Sequence, residues 1–301
     1  MLLLPTQSDL TRFYEDLGTS EKQISEDIKS IAGWIKMQPH LSSEEINQRK
    51  IQLFIMFCKN DLERTKESLN QYYSVKTNVP KFFTNWDPTS PEQIQSADYG
   101  FLVPLPKLTK EGYRVSLGYN TSEDYKKFSF INFGKIFFMN LELRVSKLDL
   151  YTKDIMIWDM KIYSLAFLSE TLRHIKDYMY CINKAYPLRF HQIHMVNVPI
   201  YAAPILNLTR RLVKKKIADR IIIHKGIEDL TKFIDPSVLP INYGGTFEKN
   251  SDDVMDDWKK ILIKHREFLI DHSSTEVKDN GPMKKSTIKK KNLKSDKLEI
   301  D

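Results

Sequence analysis

Enzyme active sites need a nucleophile, an acid or base, or a metal cage at set spacing, and this 301-residue chain offers none of the common arrangements. It has no glycine-rich phosphate loop, no nucleophile elbow and no helical histidine pair with a glutamate between. His191 and His194 lie three apart, and on the extended segment expected there that spacing sends the two rings to opposite faces, which disfavours a shared metal. The two cysteines, Cys58 and Cys181, can build neither a disulfide framework nor a four-thiolate zinc site. A reduced compartment is expected and a secreted, staple-held scaffold is excluded. Cys181, flanked by Tyr180 and Ile182, reads as an inert buried thiol.

The chemistry that remains is anion holding and apolar burial. Lys216 and Arg220 are four apart, so a shared helical turn would point both at one pair of phosphate oxygens. Arg189 and His191, just after Pro187, alternate on an extended segment and could also face one way. Spacing does not say whether the two pairs meet. A net charge of +7, from 46 Lys and Arg against 39 Asp and Glu, favours an anionic partner: nucleic acid or a phosphate-bearing membrane surface. Phe130, Ile131, Phe133, Ile136, Phe137, Phe138, Met139 and Leu141 give one helix more apolar surface than a single core-facing stripe uses. Either it is buried all round, or one side lines a cavity for an apolar ligand. The apolar run 200–208 passes straight into Thr209, Arg210, Arg211, Leu212, Val213, Lys214, Lys215 and Lys216. That pattern fits a membrane-touching element or a docked helix with a solvated basic end.

The elements that must position these residues fall into two parts. Over 10–74 the apolar residues recur at helical steps: Ile24, Ile28, Ile31 and Ile35 after a Ser20 cap, a helix through Ile46, Ile51, Phe54 and Cys58 capped by Ser42 or Ser43, and a third from Asp61. The prolines at 80, 88, 91, 104 and 106 mark a connecting region. Beyond it strands are expected at 113–119, 154–160, 193–198 and 220–224, and helices at 128–148, 164–182, 200–213 and 251–270. Strands separated by helices imply a mixed α/β sheet. No stretch is apolar enough to span a bilayer, and the run Leu2, Leu3, Leu4 is cut short by Pro5 before it can form a signal peptide, so a soluble protein is expected. From Ser273 onward Lys284, Lys285, Lys289, Lys290, Lys291, Lys294 and Lys297 sit among polar residues. This segment is expected to stay unfolded, as a solubilising tail or a membrane-surface or nuclear-import segment.

Several ordered blocks resemble the CRAL-TRIO (Sec14-like) lipid-binding family, in the branch related to alpha-tocopherol transfer protein and the clavesins. They are Trp34 with Ile35, Pro39, His40 and Leu41; 58–66; 105–109 with 111–114; Asp159, Met160, Lys161, Tyr163 and Ser164; 186–189 with Ile193, His194, Asn197 and Pro199; and Leu239, Pro240, Tyr243, Gly244 and Gly245. Ile162 stands where that family usually carries glycine. The resemblance implies an N-terminal helical domain (1–95), an α/β lipid-binding domain with a mixed sheet and a hydrophobic pocket closed by a helical lid (96–250), a closing helix (251–272) and the lysine-rich tail (273–301). The lid falls on 200–212. The family's phosphoinositide-binding positions fall on Arg189, His191, Lys216 and Arg220, with His191 in place of arginine.

The expected pocket lining is Phe133, Phe137, Leu141, Ile155, Ile157, Leu168, Leu172, Ile175, Leu188, Ile193, Ile205 and Leu208. The reading is a monomeric cytoplasmic carrier, transiently membrane-associated, without catalytic residues, metal or cofactor. It would take one small isoprenoid-like ligand such as tocopherol, retinoid or carotenoid to or from phosphoinositide-containing membranes. The alternative is a phosphoinositide-binding trafficking adaptor without transferred cargo. Nucleic-acid binding by the tail is disfavoured, because no aromatics are interleaved with its lysines.

Overall fold

A computed structural model describes residues 2–41, 46–122, 124, 126 and 128–274. The N-terminal helices begin where a cap meets an apolar stripe. In α1 (Gln7–Asp16) Thr6 and Asp9 cap each other reciprocally. The Ser20 hydroxyl accepts from the Gln23 N–H to start α2 (Glu21–Lys36), which buries Ile24, Ile31 and Ile35. α3 (Gln48–Phe57) is capped by Asn47 rather than by Ser42 or Ser43, which lie outside the described residues. Asp61 caps α4 (Leu62–Asn78). The turn between α3 and α4 places Lys59 and Asn60 in left-handed backbone, φ 59° and 62°.

After α5 (Pro91–Tyr99) the chain builds a five-stranded sheet in the order β1 (Leu102–Leu108), β2 (Tyr113–Tyr119), β3 (Lys153–Asp159), β4 (Phe190–Val196), β5 (Ile221–Ile223). β1 pairs antiparallel with β2 and the remaining pairs are parallel. Parallel neighbours require crossovers. α6 (Phe130–Leu143), α7 (Leu165–Ala185), and α8 (Ala203–Leu212) with the four-residue α9 (Lys215–Ala218) supply them. β1 corrects the sequence reading: Pro104 and Pro106 sit inside a strand rather than in a connection. The strand tolerates them because it is outermost and donates to one neighbour only.

α6 ends before the expected 148. At Arg144 it widens into a single π turn, Arg144–Leu148, next to a wholly buried ion network. The Arg114 guanidinium is bidentate on Asp149 (Nη2 to Oδ1 2.7 Å), and Arg144 bridges Asp149 (3.1 Å) to Asp154 (2.9 Å). The Glu142 carboxylate accepts from Lys50 Nζ at 2.6 Å, and from the Tyr72 and Tyr186 hydroxyls, each at 2.7 Å. His272 Nε2 lies 3.2 Å from the same carboxylate. One acidic side chain on α6 thereby ties together α3, α4, the end of α7 and the closing helix. Burial pushes the Glu142 carboxyl up, but His272 and Lys50 outweigh it and hold it well below the usual carboxylate range. The closing helix is two: α10 (Ser251–Lys264) and α11 (Arg266–Ser274), broken at His265. Residues 275–301, most of the lysine-rich segment, lie outside the described residues.

Candidate functional site

The N-terminal half of α6 and the facing side of the sheet leave an apolar cavity of about 170 Å³. A single water needs roughly 10–15 Å³ on this measure. Phe130, Phe133 and Phe137 recur at three- and four-residue steps on α6, and Met156 and Trp158 alternate on β3. α7 contributes a stripe from Phe167 to Ile182, β4 contributes Phe190, Ile193 and Met195, and Leu206, Thr209 and Val213 of the α8 region close the opening. The roof is held by Ala202 and Leu206, both buried in a small cluster with Tyr99, Met160, Tyr163, Phe167 and Leu168. At its tip Ile200 is 95% exposed and Tyr201 45%, the latter donating to the Tyr163 carbonyl.

Of the residues named from sequence, Phe133, Phe137, Leu168, Ile175 and Ile193 line this cavity. The Ile205 side chain lies outside the described set. The others stand elsewhere, for definite reasons. Ile155 and Ile157 point to the opposite face of β3, because the alternation starts on Met156. Leu172 projects outward, 42% exposed, while its neighbour Thr171 faces in. Leu208 lies one position off the inward row of Leu206 and Thr209. Leu141 borders a separate 10 Å³ void beside Ser116, Asn140, Arg144 and Asp154, and Leu188 lies between that void and the basic cavity described next.

That second cavity, of about 230 Å³, shares the walls Ile182, Asn183, Phe190 and Ile217 with the first. Arg189, Lys216 and Arg220 meet in it, joined by Lys59, Lys153 and Lys214, which the sequence reading missed. Among the described residues no carboxylate lines it. Lys216 and Arg220 arrive without a shared helix, since α9 ends at Ala218. Arg220 is fixed by its guanidinium on the Phe190 carbonyl, and Arg189 donates to the Met56 carbonyl of α3 at 3.3 Å. Burial, with Lys184 and Arg64 nearby, pushes Lys214 down to about 8.

His191 is not part of this cluster. β4 pairs Asp154 with Phe190 but Ile155 with Gln192, so a bulge inserts His191 and resets the alternation. Its ring packs on Tyr113, with centroids 4.6 Å apart, in a cleft lined by Thr109, Glu111, Phe233 and Asp235. The bulge also overturns the expectation that His191 and His194 face opposite ways: both are directed toward Phe233. His194 pairs with His224 (Nδ1 to Nε2 2.9 Å), and burial drives its pKa down to about 4. Burial likewise pushes the Cys181 thiol up to about 12, far from a reactive thiolate.

An α/β sheet entered from a helical leader has counterparts among known proteins. The CRAL/TRIO domain model matches residues 98–245, and a Pinta-like UBA domain model matches 20–93. Clavesin-2 from Mus musculus is 21% identical over 272 residues, covering 88% of this chain and 82% of its own. The human alpha-tocopherol transfer protein-like protein is 24% identical over 245 residues, 80% of this chain and 71% of that one. Among solved structures, the crystal structure of Sfh5 superposes with a TM-score of 0.50 at 13% identity, covering 87% of this chain and all of that one. The sheet, residues 102–223, lies wholly within the matched stretch, so residues 98–245 form a CRAL/TRIO domain.

Proposed function

We propose that the chain is a monomeric intracellular carrier that takes one small hydrophobic molecule into the apolar cavity and exchanges it at phosphoinositide-containing membranes, without covalent chemistry. The observation that carries this reading is the common wall between the two cavities. Ile182, Asn183, Phe190 and Ile217 touch both, so phosphates seated among Lys59, Arg189, Lys216 and Arg220 press on the side chains that confine the ligand. The roof is amphipathic in the required sense: Leu206 and Val213 face the cavity, while Arg210 and Arg211 occupy the last turn of α8. Lipid can replace the contacts the inner face loses on opening. In water, burying roughly 300 Å² of ligand surface at about 25 cal/mol per Å² contributes about 7 kcal/mol, so release away from a bilayer is slow. The name of the human relative points to tocopherol as one ligand of this class.

Native mass spectrometry and solvent extraction of the purified chain test the carrier role. A stoichiometric apolar molecule is expected, and an empty protein that still binds phosphoinositide vesicles would instead support an adaptor without cargo. That second reading draws on the basic cavity, which includes Lys59 from the helical leader and is complete without the chamber. For the cavity itself, Lys216→Ala combined with Arg220→Ala should weaken sedimentation with phosphatidylinositol bisphosphate vesicles at least tenfold, at about 1.4 kcal/mol per tenfold, and leave ligand retention in solution intact. Equal sedimentation counts against the cationic cavity.

A further inference from the structure

Several buried tyrosines have a carboxylate partner. Tyr72 and Tyr186 donate to Glu142, Tyr119 to Asp252 and Tyr243 to Asp159. Tyr178 differs. It sits on α7, 4% exposed, in the wall of the apolar cavity, with its ring edge-on to Phe82, Phe130 and Phe137, and its hydroxyl has no hydrogen-bond partner among the described residues. Two other polar side chains of that wall are bonded to backbone: Thr171 donates to the Phe167 carbonyl at 3.0 Å and Asn183 to the Leu212 carbonyl at 3.2 Å. Tyr151 is buried too, but it lies beneath the Arg144 guanidinium beside Asp154 rather than in this wall.

A hydroxyl stripped of water and left without an acceptor is costly, and the cost is recovered when a bound molecule brings the acceptor. Burial pushes the Tyr178 phenol well above its usual range, with Tyr163 of the same wall adding to the shift, so the group is neutral and available as a donor. Among the described residues no cationic side chain lines this cavity, which disfavours a carboxylate or phosphate there. The complement of an unpartnered neutral donor in an apolar chamber is an uncharged acceptor oxygen. We infer that Tyr178 is a specificity residue of the cavity, donating a hydrogen bond to the oxygen of a neutral hydrophobe such as an isoprenoid or long-chain alcohol, ketone or ester, and selecting it over a pure hydrocarbon. The inference rests on the carrier reading and narrows it.

The test is a competition. Phosphatidylcholine vesicles loaded with equal amounts of farnesol, farnesyl acetone and farnesene are incubated with the full chain or with Tyr178→Phe. The protein is re-isolated and its content read by gas chromatography. The parent should be enriched in both oxygenated probes over farnesene relative to the vesicles, and Tyr178→Phe should lower that enrichment about tenfold, the weight of one buried hydrogen bond. The ratio is internal, so a partly unfolded variant captures less of all three without changing it. Equal ratios in parent and variant overturn the assignment of Tyr178. Absence of enrichment in the parent alone overturns it too, whatever the variant does. If the parent captures none of the probes, the carrier reading fails and takes the inference with it.

Discussion

The two ends of α6 do opposite things with the same helix. At its C-terminal end Glu142 and Arg144 sit in a solid, fully buried set of charges in which bonds reach the helical leader, the end of α7 and α11. At its N-terminal end Phe130, Phe133 and Phe137 border unfilled space. Tight packing normally holds a core together, because each unfilled volume forfeits dispersion contacts. Here the ion network takes over the holding at one end and leaves the other end free to stay hollow. Charges at an apolar helix end do not add much net energy, since desolvation offsets attraction, but a hydrogen-bonded set has few alternative arrangements.

The largest way to break this contrast is at the charged end. Glu142→Gln leaves Lys50 buried without its counter-ion and should lower stability in urea unfolding by about 3–5 kcal/mol. A loss under 1 kcal/mol would mean the frame is held by something else. Next comes acid. His194, on the sheet face behind the cavity, is held neutral with a pKa near 4, against 6.5 for the ordinary group. As pH falls below 6.5 the unfolded chain takes up the proton first. Stability is full above 6.5 and is lost as pH drops through about 4, on the order of 3 kcal/mol in all. Glu142 behaves as a carboxylate should, keeping its contribution until well below its usual range. His194→Gln should flatten the difference in unfolding midpoint between pH 7 and pH 5, and comparison with the parent separates this from His272, which burial shifts the same way.

The mildest test compares solid and hollow regions directly. Ile157→Trp, on the packed face of β3, should cost about 1–3 kcal/mol by overpacking, whereas Ile175→Trp fills the cavity, changes stability by less than about 1 kcal/mol, and abolishes capture of a hydrophobic probe. Similar costs at both positions would show that the chamber collapses readily.

Local signals in the chain carried far. Ser20, Asp61 and Ser164 each accept the backbone N–H that begins a helix, and the stretch 153–159 is a strand within one residue of its expected place. What failed was choice of face. In β3 both sides are buried, so Ile155, Met156, Ile157 and Trp158 all read as core, and apolar character cannot say which pair meets a ligand. The bulge at His191 has no glycine to announce it, and it moved a residue out of the cationic cluster and turned two histidines toward one face. Lys59, Lys153 and Lys214 could not be grouped by spacing either, since they come from a helix turn, a strand start and the roof's far end. Tyr178 was legible as buried, but the missing partner of its hydroxyl is a property of three-dimensional surroundings only.

The two prolines of β1 have a consequence beyond the fold. A bare sheet margin is a template on which a second molecule can add a strand, and such addition is how crowded proteins begin to aggregate. Here Pro104 and Pro106 have no N–H to offer, the Pro106 carbonyl is occupied by the Leu3 N–H at 2.8 Å, and the Leu105 and Pro106 carbonyls also receive the Arg114 guanidinium. The opposite margin, β5, is three residues long. Molecules concentrated side by side therefore find little backbone to zip together, and they can meet at high density and separate again.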